Sequence, residues 1–294
     1  MSKIRISPPL MFVVILLGVI GIILPRVRSG NQASANPGVF PTVGPNHAIF
    51  QHLLEQYVNQ DGWVDYDGVG RDRKQLNDYL QQLAPAQPAS FSNDRERLAF
   101  WIDAYNAYTL ASVLDRVYGK VKGVREVPGF FDRERHGVAG EQLTLDQIEE
   151  RARSFHDPRV HFALVCASTS CPKLQRFAYA GPELDSQLQR VLQEFLADPT
   201  KGVRMDSQHN RIFLSSIFKW YAGDFTGKPS GAGRLLAKAQ AYLSGSNVIQ
   251  YVREHAPKDV DRYIEDKHPS VEYLDYDWSV NSQQNHPASQ GTSR

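Results

Sequence analysis

The stretch Asp157-Pro-Arg-Val-His-Phe-Ala-Leu-Val-Cys-Ala-Ser-Thr-Ser-Cys-Pro172 carries both cysteines of the chain and a histidine close to them. A thiol becomes a nucleophile when it ionises, and an imidazole is a common base for it. Val160 to Cys166 is a near-continuous apolar run of strand length, so it reads as a central strand buried on both faces. The small polar residues after it, Ala167-Ser-Thr-Ser170, would let backbone come close to a ligand and offer the hydroxyls of Ser168 and Ser170. Cys166 is the candidate nucleophile. His161 is the nearest candidate base, but on a regular strand the two lie roughly 16 Å apart and on opposite faces. His161 could reach Cys171 if the strand ends early. The other candidate bases are His136, His156, His209, His255 and His268. The alternative chemistry is structural: with four residues between them, Cys166 and Cys171 could close a local disulfide in an oxidising compartment.

A second set of polar residues sits in an apolar helix. Leu98 to Leu114 is apolar nearly all round and should be buried, yet it holds Asp103 and Asn106 at i and i+3 on one face. Either they tie neighbouring loops to the helix, or they line a pocket with the Cys166 bend. No His, Cys, Asp or Glu spacing reads as a metal site; Asp65-Tyr-Asp67-Gly68 resembles the start of a calcium loop, but Leu76 stands where the bidentate Glu belongs. The Ile217–Tyr221 aromatics read as core, and Asp275 and Asp277 as neighbours on one face of a last strand.

The elements that must position these groups follow from pattern. Asn93 with Glu96 and Thr144 with Gln147 open helices as capping pairs. Helical stripes run through Ile49–Val58, Leu76–Leu83, Leu184–Phe195, Leu235–Leu243 and Val248–His255. Short strands are expected after Asp61 and within Gly129–Gly140, a hairpin joins Gly202–Met205 to Arg211–Leu214, Ser215 or Ser216 caps a short helix, and Val271–Trp278 forms the final strand. The class is α+β: one mostly helical domain with a small mixed sheet.

The chain has 294 residues, 41% hydrophobic and 22% charged, which excludes wholesale disorder. Its 33 basic and 32 acidic residues give a net charge of +1, without the basic surplus of a general nucleic-acid binder. Two cysteines exclude a disulfide-rich scaffold and a four-thiolate zinc site. Ile6 to Pro25 is uncharged and about the ~20 residues a membrane-spanning helix requires. Residues 1–28 therefore read as a signal anchor that tethers the chain to a membrane, with its bulk on the extracytoplasmic (periplasmic) side. If Ala33-Ser-Ala35 is cleaved, the protein is secreted. Residues 29–45 read as a flexible tether, 46–281 as the domain, and 282–294 as a polar tail.

Four segments in order, Phe100–Ala107, Asp157–Pro172, Leu214–Tyr221 and Tyr276–Asn281, resemble the domain of unknown function 547 family, over Leu53 to Asn281. Asp103 stands where that family usually has Asn. The resemblance implies no reaction and no cofactor, so the cofactor stays unknown. The residues themselves point to a cysteine-dependent hydrolase or transferase acting on a small-molecule or peptide ligand at the Cys166–Cys171 loop. The alternative is a non-catalytic binding or assembly module stapled by a Cys166–Cys171 disulfide.

Overall fold

Asn93 and Thr144 open their helices as the capping pattern demands. In a computed structural model describing residues 44–226 and 247–286, the Asn93 side chain accepts the Glu96 N–H at the head of a 23-residue helix, Asp94–Arg116. Thr144 and Gln147 exchange both bonds of a capping box at the head of Leu145–Arg153. Helices α1 (His47–Tyr57), α2 (Tyr66–Arg71) and α3 (Arg73–Leu83) precede the long helix, which is α4. A hairpin of β1 (His136–Val138) and β2 (Glu141–Leu143) follows, then α5 (Leu145–Arg153) and α6 (Leu184–Ala197). Antiparallel β3 (Val203–Asp206) and β4 (Arg211–Leu214) come next, followed by α7 (Ser216–Trp220). A helix over 247–255 (α8) and α9 (Lys258–Lys267) return the chain to β5 (Ser270–Tyr273), which pairs parallel to β4.

The expected α+β class is what the structure shows: among the described residues helices dominate, beside one two-stranded and one three-stranded mixed sheet. Helix α4 is the axle of the core. From Leu98 to Val113 every residue is buried, including Asp103, Asn106, Thr109 and Ser112. Among the described residues no helix is long and apolar enough to cross a membrane. The apolar run Ile6–Pro25, most of the tether and the helix expected at Leu235–Leu243 lie outside the described residues.

The central strand expected over Val160–Cys166 is absent. Asp157 caps, and Pro158 opens, a 3₁₀ helix over Pro158–Phe162, after which residues 163–166 form irregular backbone with no strand partner. The run is buried as expected, but α4 supplies what a neighbouring strand would have. Asn106 donates Nδ2–H to the Ala163 carbonyl at 3.0 Å and accepts the Val165 N–H at 2.9 Å. A short apolar run does not by itself distinguish a strand from other buried backbone, provided its polar groups are satisfied.

Three other expectations shift. Val64 forms isolated bridges rather than a strand, and Tyr66 already starts α2. The last strand stops at Tyr273, so Asp275 and Asp277 do not share a strand face; Asp277 instead accepts from Ser279 N–H and Oγ–H. The tail expected from Ser282 packs on the domain over 282–286, where Gln283 donates to the Tyr57 and Trp63 carbonyls and His286 stacks on Trp63.

Candidate active site

Four elements meet around Cys166. Asn106 of α4 fixes the backbone on the entry side, at Ala163 and Val165. Ala167 then takes a left-handed backbone (φ 62°), uncommon for a residue with a Cβ, and turns the chain back on itself. The strand-like segment 277–281 holds the bend open at the correct register: Thr169 N–H donates to the Ser279 carbonyl, Ser170 N–H to the Asp277 carbonyl, and Asn281 N–H to the Ala167 carbonyl. Ser170 Oγ accepts the Asp277 N–H. Lys201, buried, closes the far side by donating to the Cys171 carbonyl.

The result is a thiol pair, both cysteines free, with Sγ atoms 2.9 Å apart. The disulfide considered from the spacing is therefore not formed here. Cys166, half-buried, and Cys171, buried, both line a cleft of about 750 Å³. Hydrogen bonding with the Cys171 sulfur, together with the Ser168 hydroxyl at 3.0 Å and the Tyr276 hydroxyl at 3.4 Å, holds the Cys166 thiol below its ordinary pKa despite the opposing effect of burial. Burial, reinforced by the Cys166 charge, pushes Cys171 well above its ordinary value. The outer sulfur is thus the more readily ionised of the two. Burial, with the neighbouring sulfurs, likewise keeps Tyr276 protonated.

The cleft wall opposite is acidic and aromatic. Glu149 of α5 is raised to about 7: burial dominates over the opposing Tyr221 hydrogen bond and Arg153 charge, and Asp146 and Cys166 add to the rise. His161 lies in the same lining, with Nε2 2.9 Å from Asp224 Oδ2, which also accepts Arg153 Nε–H at 2.8 Å. Burial lowers His161, only partly offset by Asp224. Burial alone would raise Asp224, but His161 and Arg153 hold it below the usual carboxylate range. A neutral His161 donating Nε2–H to Asp224 keeps its Nδ1 unprotonated. Trp220, 47% exposed, packs with Tyr276 and Trp278 at the cleft, and Arg125 sits over the Trp278 ring.

The residues singled out from sequence divide clearly. Cys166, Cys171, His161 and Ser168 are gathered at the cleft or directly beneath it. Asp103 and Asn106 do not line it. Asp103 ties α1 and the 179 region to α4, with Oδ2 2.8 Å from His47 Nδ1 and Oδ1 accepting the Tyr179 N–H. Ser170 braces the bend. His136, His156, His209, His255 and His268 are not among the lining residues. Sequence reading missed Glu149, Tyr221, Tyr276 and the Arg153–Asp224 pair. The Ile217–Tyr221 segment is only half core: Ile217 and Phe218 are buried, whereas Trp220 and Tyr221 face the cleft. Among the described residues no group of three or more His, Cys, Asp or Glu could hold a metal ion.

Replacing Tyr276 by Phe keeps the ring packing and removes one donor to Cys166. A hydrogen bond contributes about 1 kcal/mol, which moves the midpoint of Cys166 alkylation upward by roughly 0.7 pH unit. Iodoacetamide rates across pH 5–10 measure this; an unmoved midpoint would show that Tyr276 does not support the thiolate.

These features define an α+β domain with a polarised cysteine pair at the floor of a cleft. A family model described as protein of unknown function, DUF547, matches residues 88–196 of the chain. The matched span takes in α4, α5, the Cys166 bend and α6, and stops short of the Leu214–Tyr221 and Tyr276–Asn281 motifs. No curated protein and no solved structure matches the chain.

Proposed function

We propose that this protein is a cysteine-dependent hydrolase or transferase with Cys166 as its nucleophile. The observation that carries the reading is the half-buried Cys166 thiol, opening into the cleft and stabilised as a thiolate by Cys171, Ser168 and Tyr276. A cleft of about 750 Å³ suits a small molecule or a short peptide segment. Cys166 Sγ attacks an acyl carbon to form a thioester as the leaving group departs. Glu149, protonated over part of its population near neutrality, supplies the leaving group's proton. His161, anchored by Asp224, is the base that takes a proton from the incoming water or acyl acceptor. On this reading Asp103, Asn106 and Ser170 position the site rather than act in it. The apolar run at 6–25 is proposed to tether the domain on the extracytoplasmic face of a membrane.

p-Nitrophenyl acetate tests the chemistry without knowledge of the substrate. Reduced protein should release a burst of p-nitrophenol equal to the protein concentration and carry an acetyl thioester on Cys166. Cys166→Ala should release none. Acetylation confined to other residues, or a burst that survives Cys166→Ala, would remove Cys166 from this role.

A further inference from the structure

A nucleophile needs one thiol, yet the site holds two in contact. Both cysteines line the cleft, but Cys171 is buried and Cys166 half-exposed, so a reagent entering there meets Cys166 first. The left-handed turn at Ala167 and the three backbone bonds to 277–281 keep the sulfurs at 2.9 Å. A disulfide requires about 2.05 Å, so side-chain motion of less than about 1 Å would close the bond.

We propose that Cys166 and Cys171 form a reversible oxidation site, in which a peroxide oxidises Cys166 at the cleft and Cys171 resolves the product as an intramolecular disulfide that blocks the nucleophile. The Cys166 thiolate attacks one oxygen of hydrogen peroxide, the O–O bond breaks, and Cys166 becomes a sulfenic acid as hydroxide leaves. The Cys171 sulfur then attacks the Cys166 sulfur; the S–S bond forms, the S–O bond breaks, and the departing hydroxide leaves as water with the Cys171 proton. In sum, two thiols and one peroxide give one disulfide and two waters. A dithiol restores both thiols by exchange. The low pKa of the outer thiol and the high pKa of the inner one fit the attacking and resolving roles. Only the functional consequence, loss of acyl transfer, rests on the proposed enzyme reading; the redox step needs the thiol pair alone.

The test uses the reduced full chain and hydrogen peroxide. Wild type should lose two hydrogens in intact mass, lose iodoacetamide labelling at Cys166, and regain it fully with dithiothreitol. Cys171→Ser keeps a donor beside Cys166; it should instead give a dimedone adduct at Cys166 and, on longer exposure, a loss of labelling that dithiothreitol does not reverse. Cys171→Ala repeats the comparison should the buried hydroxyl perturb folding. Wild type that ends as sulfinic acid at the same rate as the Cys171 variants, forms no disulfide, or does not oxidise would overturn the proposal. The two readings fail separately. Disulfide formation without an acetyl burst in reduced protein removes the enzyme and leaves the redox site, and a burst without disulfide formation does the reverse.

Discussion

Asn106→Ala should destabilise the protein by about 3 kcal/mol, because two buried backbone groups each lose their partner at a cost of roughly 1–3 kcal/mol. Asn106 is 3% exposed, and among the described residues no other hydrogen bond reaches the Ala163 carbonyl or the Val165 N–H it bridges. For a domain of this size such a loss lowers Tm by roughly 6–12 °C. The site should suffer as well as the fold. Val165 precedes Cys166, so releasing its N–H loosens the entry to the bend, and the alkylation midpoint of Cys166 should climb toward the ~8.5 of a free cysteine. Urea unfolding and the iodoacetamide pH profile read the two effects separately. A loss below about 1 kcal/mol would show that water replaces the amide without penalty, and the account of how this segment dispenses with a strand partner would fall.

Asn106 also shows where sequence reading ended. Its type and place in an apolar helix were plain from the pattern, as were the capping pairs, the β3–β4 hairpin and the bend after Cys166. Those features are local: a cap, a turn or a periodic stripe is contained in a few neighbouring residues. What the side chain bonds to, 57 and 59 positions away, is not. The strand expected over Val160–Cys166 failed for the same reason, since burial was legible but the identity of the partner was not. Tyr276 meets Cys166 across 110 residues, and although Tyr276–Asn281 stands out as a motif, its pattern reads as the continuation of a strand and names no partner for the hydroxyl. Glu149 did leave a local signal. Leu145, Ile148 and Ala152 form the buried stripe of α5 at i, i+3 and i+7, and Glu149 occupies i+4 on that same stripe. A carboxyl group on an apolar stripe marks a partly buried, perturbed acid, and the spacing alone would have flagged it.

That half-buried acid makes the second large prediction. Glu149 is raised from 4.5 to about 7 in the folded protein, so between those values the native state holds a proton that the unfolded state releases. Stability must therefore fall as pH rises through that window, by on the order of 3 kcal/mol once Glu149 is fully ionised. Glu149→Gln keeps the shape and removes the titration. The variant should match wild type near pH 4.5 and exceed it by about 3 kcal/mol at pH 8. Other groups titrate, but in both proteins. His161, lowered by burial, makes stability rise with pH up to its ordinary range near 6.5, and Asp224, held low by His161 and Arg153, costs stability only as pH falls below about 4. Asp146, raised by burial and Asp132, adds a slope of the same sign as Glu149 at lower pH. The difference between variant and wild type isolates Glu149. Urea unfolding at pH 5, 6.5 and 8 measures it, and curves that coincide within about 1 kcal/mol at all three would mean that the carboxyl is solvated. The same substitution should spare formation of the Cys166 thiolate while slowing release of poor leaving groups, which need the proton that Gln cannot supply. A side chain that weakens the fold at neutral pH but holds a transferable proton in the cleft of a nucleophilic thiol has the profile of a group kept for chemistry rather than for packing.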